Sequence, residues 1–191
     1  MNDILNGTLV RLSAVDPDEF SKAFAGWRRD SEFIRLGYSS AIRLGSQKNS
    51  QKSIEKELED QEVNQHWFTI RTLAEDKLLG DIGLDVVNWP GRDAFVALGI
   101  GDRDFWGRGY GTDAMQVILR YAFMEVNLRR VTLTVFEYNP RAIRSYEKAG
   151  FRHEGRERKI LNREGHRWDM LFMGILREEW MEQNGNTNKN N

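Results

Sequence analysis

Three glycines alternate within Phe105-Trp106-Gly107-Arg108-Gly109-Tyr110-Gly111-Thr112-Asp113-Ala114, and an amphipathic helical pattern follows at once. Glycine reaches backbone conformations closed to other residues, and it removes the side chain that would keep a ligand off the main chain. The first turn of a helix carries unpaired N–H groups and a partial positive charge. Glycines leading into a helix start therefore point to a cradle of backbone amides for a phosphate or pyrophosphate. The alternative is a glycine-rich turn that merely links a strand to a helix. Two common phosphate loops do not fit. A P-loop needs Gly-Lys-Ser/Thr, and no glycine here is followed by lysine. A dinucleotide fingerprint needs G-x-G-x-x-G behind an early strand. Here the spacing is G-x-G-x-G, Thr112 holds the place of the third glycine, and the run lies past the middle of the chain.

A second motif stands downstream, Asn139-Pro140-Arg141-Ala142-Ile143-Arg144-Ser145-Tyr146-Glu147-Lys148-Ala149-Gly150-Phe151. It reads as a short helix that Asn139-Pro140 opens and Gly150 closes. On such a helix Ala142, Tyr146 and Ala149 lie near one face, where a tyrosine is ordinarily a core aromatic with a wet hydroxyl. The three histidines, His66, His153 and His166, show no metal-ligand spacing, and no metal site is expected. No G-x-S-x-G elbow supports a serine nucleophile.

Elements must hold these motifs in place. Residues 8–12 alternate like a first strand. Asp16-Pro17-Asp18 looks like a helix start, and Phe20, Ala23, Phe24 and Trp27 then form one apolar face. Residues 38–50, rich in glycine and serine, read as a loop. Another helix begins at Ser53 with a serine cap just before it. Its acidic run, Glu55, Glu57, Glu59, Asp60 and Glu62, reads as a solvated face or as an attraction for a cationic small molecule. Strands follow at 67–71, 77–87 and 94–100, with turns at 74–76 and 88–93, and short turns between consecutive strands imply an antiparallel meander. The pattern then changes period. Met115, Ile118, Leu119, Ala122 and Val126 recur at helical spacing, and residues 130–136 read as a buried strand. Residues 151–155 and 168–175 read as two late strands joined near Asn162-Arg163-Glu164-Gly165. The polar stretch 183–191 is expected to be a disordered tail.

Composition bounds the function. The chain has 191 residues, 40% hydrophobic and 30% charged, with a formal net charge of −1. That length suits one domain with a sizeable core, and that balance argues against a nucleic-acid binder held by overall charge. The absence of cysteine excludes disulfides, thiolate catalysis and cysteine metal sites. Residues 1–7 carry no basic segment or long apolar run, so no signal peptide is expected. No apolar segment approaches the length of a membrane span. The expectation is a soluble, cytoplasmic protein without nucleic-acid or membrane partners.

Taken together, the two motifs resemble the GNAT superfamily of acetyl-CoA-dependent N-acetyltransferases, in its RimJ/RimL-like and polyamine acetyltransferase branch. The residues from Trp106 to Ala114 carry the resemblance, then Asn139 with Ala142 to Phe151, and the late segment from Glu154-Gly155 to Arg167-Trp168-Asp169. Either motif alone is weak to moderate; in this order and at this separation they are specific. The resemblance runs from about residue 8 to residue 176 in element order.

It implies a single α/β domain over residues 1–182, with a mixed, mostly antiparallel sheet of about seven strands flanked by helices. It also implies acetyl-CoA as cosubstrate. The amides of Gly107, Arg108, Gly109, Tyr110 and Gly111, with the helix start at Thr112, would hold the pyrophosphate, and Arg108 could add a charged contact. The pantetheine arm would lie against Leu98, Gly99 and Ile100, with an N–H near Ile100 polarising the thioester carbonyl. Asn139 would contact that arm, and Tyr146 would protonate the departing thiolate. The acceptor would be a primary amine, on a protein N-terminus, a polyamine or another small molecule, attacking directly in a ternary complex of a monomer or homodimer. Many relatives carry a glutamate in the strand before the glycine loop, to take the amine's proton. Residues 94–100 hold no acid, so the base is open, and a water chain ending at Asp81, Asp85, Asp93, Asp102 or Asp104 is the expectation. The missing glutamate also motivates an alternative, a non-catalytic coenzyme A-binding sensor. The usual Gln or Arg three residues before the second glycine is replaced by Trp106.

Overall fold

Val10 and Leu12 are buried while Arg11 and Ser13 beside them are not, the period of two that a half-covered strand requires. They form the edge strand β1 (Val10–Ser13) of a sheet seen in a computed structural model, which describes residues 3–60 and 64–185. The chain continues through α1 (Pro17–Trp27), α2 (Ser31–Gly37), α3 (Gln47–Glu59), β2 (Gln65–Thr72), β3 (Leu78–Asn88) and β4 (Asp93–Ile100). A short 3-10 turn (Arg103–Phe105) precedes α4 (Tyr110–Met124), β5 (Arg130–Phe136), α5 (Pro140–Ala149), β6 (Arg152–Arg163), β7 (His166–Leu176) and α6 (Arg177–Gly185). The strands form one seven-stranded sheet in the order β1-β2-β3-β4-β5-β7-β6. Every neighbouring pair is antiparallel except β4 and β5, which are parallel. The architecture is the α/β sheet that the resemblance implies.

Two consecutive residues of β2 show that helices cover both faces. Trp67 packs edge-on against Phe20 of α1, centroids 5.4 Å apart. Phe68 packs against Tyr121 of α4 at 5.3 Å. Side chains of adjacent strand residues point to opposite faces, so α1 and α4 lie on opposite sides. Helix α4 buries Ala114, Met115, Val117, Ile118, Leu119, Ala122 and Phe123, which join Ile82, Leu84, Val131 and Leu133 in the main core. Among the described residues, no helix is long and apolar enough to cross a membrane.

The elements differ from the sequence expectation in several places. β1 begins at Val10 rather than residue 8, because the N–H groups of Thr8 and Leu9 donate to the Asp113 carboxylate instead of to a neighbouring strand. Residues 31–37 form α2, capped by Asp30, whose carboxylate accepts from Glu32 N at 2.9 Å. The expected loop at 38–50 ends at Ser46, which caps α3 by accepting from Asn49 N at 3.3 Å. The late strands β6 and β7 are longer than expected, and α6 extends through Gly185. Residues 183–185 thus belong to a helix anchored by Trp180, which packs on Phe123 at 5.6 Å. One buried anchor in a polar stretch escapes a reading by composition. Residues 186–191, the rest of the expected tail, and Glu62 lie outside the described residues.

Candidate active site

β4 and β5 pair only where Asp93 faces Arg130, Ala94 faces Val131 and Phe95 faces Thr132. Beyond Phe95 they part. A cavity of about 470 Å³ opens there, walled by Leu98, Gly99 and Ile100 on one side and Thr134, Val135 and Phe136 on the other. The direction of backbone groups alternates along a strand. Gly101 N–H donates to the Leu79 carbonyl on the β3 side at 2.8 Å. The Ala94 carbonyl accepts from Thr132 Oγ1 on the β5 side at 3.2 Å. Counting by twos from these two contacts turns the N–H groups of Leu98 and Ile100 toward the gap. This edge can pair with an extended ligand as an added strand would.

The glycine loop forms one end of the cavity, to which Gly107, Gly109, Gly111 and Thr112 all contribute. Gly107 and Gly109 have φ of +71° and +93°, a region closed to most side chains. Gly109 is the N-cap of α4 and provides no side-chain cap, whereas α1, α2, α3 and α5 are each capped by an Asp, Ser or Asn side chain. The first-turn amides of α4 therefore remain available to an anion. The helix begins at Tyr110, two residues before the expected Thr112, because the left-handed Gly109 already turns the chain into it. A Cβ on Gly111 would stand 3.7 Å from Leu98 Cδ2, 3.8 Å from Ile100 Cγ1 and 3.9 Å from Ser145 Oγ. It would occupy cavity space without striking the protein, which fits a cradle kept clear for a phosphorylated ligand.

Helix α5 supplies the facing wall. Asn139 caps it, its Oδ1 accepting from Ala142 N at 3.2 Å, and the residue is buried at the cavity edge. Tyr146 is 8% exposed and lines the same cavity. Its hydroxyl has no hydrogen-bond partner among the described residues, and burial pushes its pKa up to about 12. Thr112 Oγ1 and Ser145 Oγ share a hydrogen bond of 2.8 Å, which ties α4 to α5.

Ten residues were expected at the cofactor site, and the structure gathers eight of them, Leu98, Gly99, Ile100, Gly107, Gly109, Gly111, Thr112 and Asn139, around one cavity with Tyr146. Arg108 and Tyr110 do not line it. The Arg108 guanidinium donates to the Asp104 carbonyl at 3.1 Å, and Tyr110 stacks edge-on against Phe105 at 5.0 Å.

Sequence reasoning missed a basic wall. Arg141, Arg144 and Lys148 all line the cavity, and none has an ion-pair partner among the described residues. Their spacing of three and four along α5 was the available signal. Arg141 lies over Trp106, its Cζ 3.9 Å from the ring centroid, and burial holds its pKa below the ordinary guanidinium value. Trp106 Nε1 donates to the Ile100 carbonyl at 2.6 Å. Trp106 thus closes the end of β4 and carries a cation on its face, a cation–π contact.

Phe33, Leu36 and Gly37 of α2, with Ser39, also line the cavity. Of the five aspartates considered as bases, none lines the cavity. Asp85 and Asp104 are exposed, Asp93 sits where β4 and β5 are still paired, and Asp102 is ion-paired with Lys77 at 2.8 Å. Asp81, on β3, stands directly behind the wall, opposite Gly99 in the ladder.

Comparison with known proteins adds independent findings. Residues 9–152 match the acetyltransferase (GNAT) domain. The probable N-acetyltransferase YjcK of Bacillus subtilis (strain 168) is 30% identical over 159 residues, 83% of this chain and 81% of that protein. The SPbeta prophage-derived uncharacterized N-acetyltransferase YokL of the same organism is 35% identical over 79 residues, 41% of this chain. The match spans 45% of that relative's length. Among solved structures, spermidine N-acetyltransferase from Vibrio cholerae in complex with CoA and spermine superposes with a TM-score of 0.78 at 22% identity. The match covers 90% of this chain and 98% of that one, a likeness of fold.

Proposed function

The chain belongs to the GNAT family of acetyltransferases and is an acetyl-CoA-dependent N-acetyltransferase, and we propose that its acceptor is the primary amine of a small cationic molecule. In this reading the amine attacks the thioester directly in the gap between β4 and β5. One observation carries the reading: a single cavity joins the uncapped start of α4, the open edge of β4 and the unpartnered hydroxyl of Tyr146.

The roles follow from position. The first-turn amides of α4, with Arg141, Arg144 and Lys148 across from them, meet the phosphates. The outward N–H groups of Leu98 and Ile100 pair with the pantetheine amides. The Ile100 N–H is then a donor for the oxygen that gains charge as the amine adds. Asn139 uses Oδ1 as the cap of α5, which leaves its NH2 to face the cavity and the pantetheine arm. Tyr146 gives its proton to the leaving thiolate. A phenol raised to about 12 would be a poor donor to a thiol of ordinary pKa, about 8.5. Burial opposes the thiolate's charge as it opposes the phenolate's, so the two values rise together in this dry site.

Aromatic and acidic groups at the α2 end support a small cationic acceptor. Phe33 and the carboxylates of Asp81 and Glu57 lie on that side, and the fold is shared with an enzyme named for spermidine. The test is release of free thiol from acetyl-CoA with a panel comprising spermidine, spermine, an aminoglycoside and a peptide with a free N-terminus. Turnover with a small amine and none with the peptide is expected. Preferential turnover of the peptide would overturn the acceptor class. Tight acetyl-CoA binding without thiol release for any amine would favour the sensor alternative instead.

A further inference from the structure

We propose that Asp81 is the general base for the acceptor amine, reaching it through an opening that Gly99 leaves in the cavity wall. The proposal rests on the reading of this cavity as the acetyl-transfer site. Asp81 and Gly99 face each other in the ladder between β3 and β4. A Cβ on Gly99 would lie 3.5 Å from Asp81 Oδ1 and 3.7 Å from Phe33 Cε2. Because residue 99 is glycine, no side chain stands there between Asp81 and the cavity that Gly99 and Phe33 line. A nitrogen placed there sits within reach of Oδ1 and against the Phe33 ring, with the thioester's gap on the other side of β4. The second carboxylate oxygen is already fixed, since Trp67 Nε1 donates to Asp81 Oδ2 at 3.0 Å. That bond orients the group and leaves Oδ1 for the substrate.

The surroundings suit a base. Among the described residues no cation pairs with Asp81. Trp67 of β2, Glu57 of α3 and Tyr38, which follows α2, act on it, and Thr69, opposite it in β2, has its hydroxyl engaged by Ser13. Burial, reinforced by the Glu57 charge and opposed by the Trp67 hydrogen bond, moves its pKa up to about 6. Tyr38 is itself pushed up to about 12 and stays neutral. A carboxylate near 6 takes a proton from an ammonium roughly 100-fold better than one at the ordinary value, and it is still ionised at neutral pH.

Asp81 Oδ1 takes one proton from R–NH3⁺, and the freed lone pair forms the C–N bond to the acetyl carbonyl carbon. The carbonyl oxygen gains charge, then the C–S bond breaks and the sulfur receives the Tyr146 proton. The new ammonium centre loses its second proton, which restores the phenol, and Asp81 returns its own to water. One proton is released per acetamide formed. No acid is needed on β4 itself.

The experiment compares the wild type with Asp81→Asn, using acetyl-CoA and the best amine of the panel. Asp81→Asn keeps the acceptor for Trp67 and should lower kcat by about 10²–10⁴, with acetyl-CoA affinity by calorimetry within about twofold. In the wild type, kcat/KM for the amine should fall as pH drops through about 6. That limb should vanish in Asp81→Asn and persist in the exposed control Asp85→Asn. Formate should restore part of the rate to Asp81→Ala, which a merely structural carboxylate would not allow. Gly99→Ala, which fills the opening, should raise the amine KM by a larger factor than it weakens acetyl-CoA binding. It keeps the idea testable if the Asp81 variants do not fold. An Asp81→Asn enzyme with near-wild-type kcat and an unchanged acidic limb overturns the proposal while leaving the transfer reading intact. So does Gly99→Ala with an unaltered amine KM. A wild type that acetylates no amine overturns both.

Discussion

A phenol held away from water keeps its proton, and that property defines what Tyr146 can do. At 8% exposure with a pKa near 12, it is neutral across the working range and acts only as a donor or a dipole. Tyr146→Phe retains the ring that packs 6.1 Å from Phe151 and removes the proton alone. We expect kcat to fall by about 10²–10⁴ with little change in acetyl-CoA affinity. Single-turnover rates that match the wild type would reduce Tyr146 to packing. Its identity was legible in the motif at 139–151. Its isolation from other partners was not, because that depends on what α4 and β5 place around it.

At the scale of elements, the start of α4 carries two separate burdens. Its Gly111 and Thr112 line the cavity, and its Asp113 carboxylate gathers the N-terminal chain. Asp113 accepts from Thr8 N at 3.0 Å, Thr8 Oγ1 at 2.9 Å, Leu9 N at 2.8 Å and Val10 N at 2.9 Å. Asp113→Ala orphans these donors and should cost about 1–3 kcal/mol, since hydrogen bonds to a charged acceptor are the stronger kind but these are largely exposed. For a chain of this size that lowers Tm by about 2–10 °C in a thermal melt. A melt superimposable on the wild type would mean the anchoring is idle.

Gly111→Val tests the other burden. Its backbone is not left-handed and its Cβ meets nothing closer than 3.7 Å, so the helix should form. The added methyls enter the cradle, and acetyl-CoA affinity should drop at least tenfold by calorimetry. Unchanged affinity in a folded Gly111→Val protein would move the phosphates elsewhere. Gly109→Val is a poorer probe, because at φ +93° it strains the backbone whatever the ligand does.

For the whole molecule, a carboxyl made hard to ionise has a stability consequence. Unfolded, Asp81 titrates near its ordinary value; folded, near 6. Between those pH values the folded protein binds the proton more tightly, so this contribution is full below about 4 and lost as pH rises through about 6. Asp81→Asn, which never ionises, escapes the loss. Water reaches part of the residue and discounts the effect to about 1–2 kcal/mol. Denaturant unfolding should therefore find Asp81→Asn more stable than the wild type at pH 7.5, with the gap closing toward pH 4. Equal stability at both pH values would place Asp81 in water rather than behind the wall.

What the amino-acid sequence determined was local. Alternation at 94–100, the glycines at 107, 109 and 111, the Asn139-Pro140 cap and the helix face of Tyr146 are all patterns repeating every two to four residues. Such patterns follow from backbone geometry alone. The tertiary structure decided which patterns meet. The parting of β4 from β5 after Phe95 makes the cavity, and no feature of either strand announces it. Register between β3 and β4 sets Asp81 opposite Gly99, and a shift of one residue would have turned that carboxylate to the other face. The stacking of Arg141 on Trp106 joins residues that α4 and β5 separate in the chain. The acid missing from β4 was therefore a question only long-range pairing could answer, because a proton acceptor must be near its donor in space and need not be near the motif in the chain.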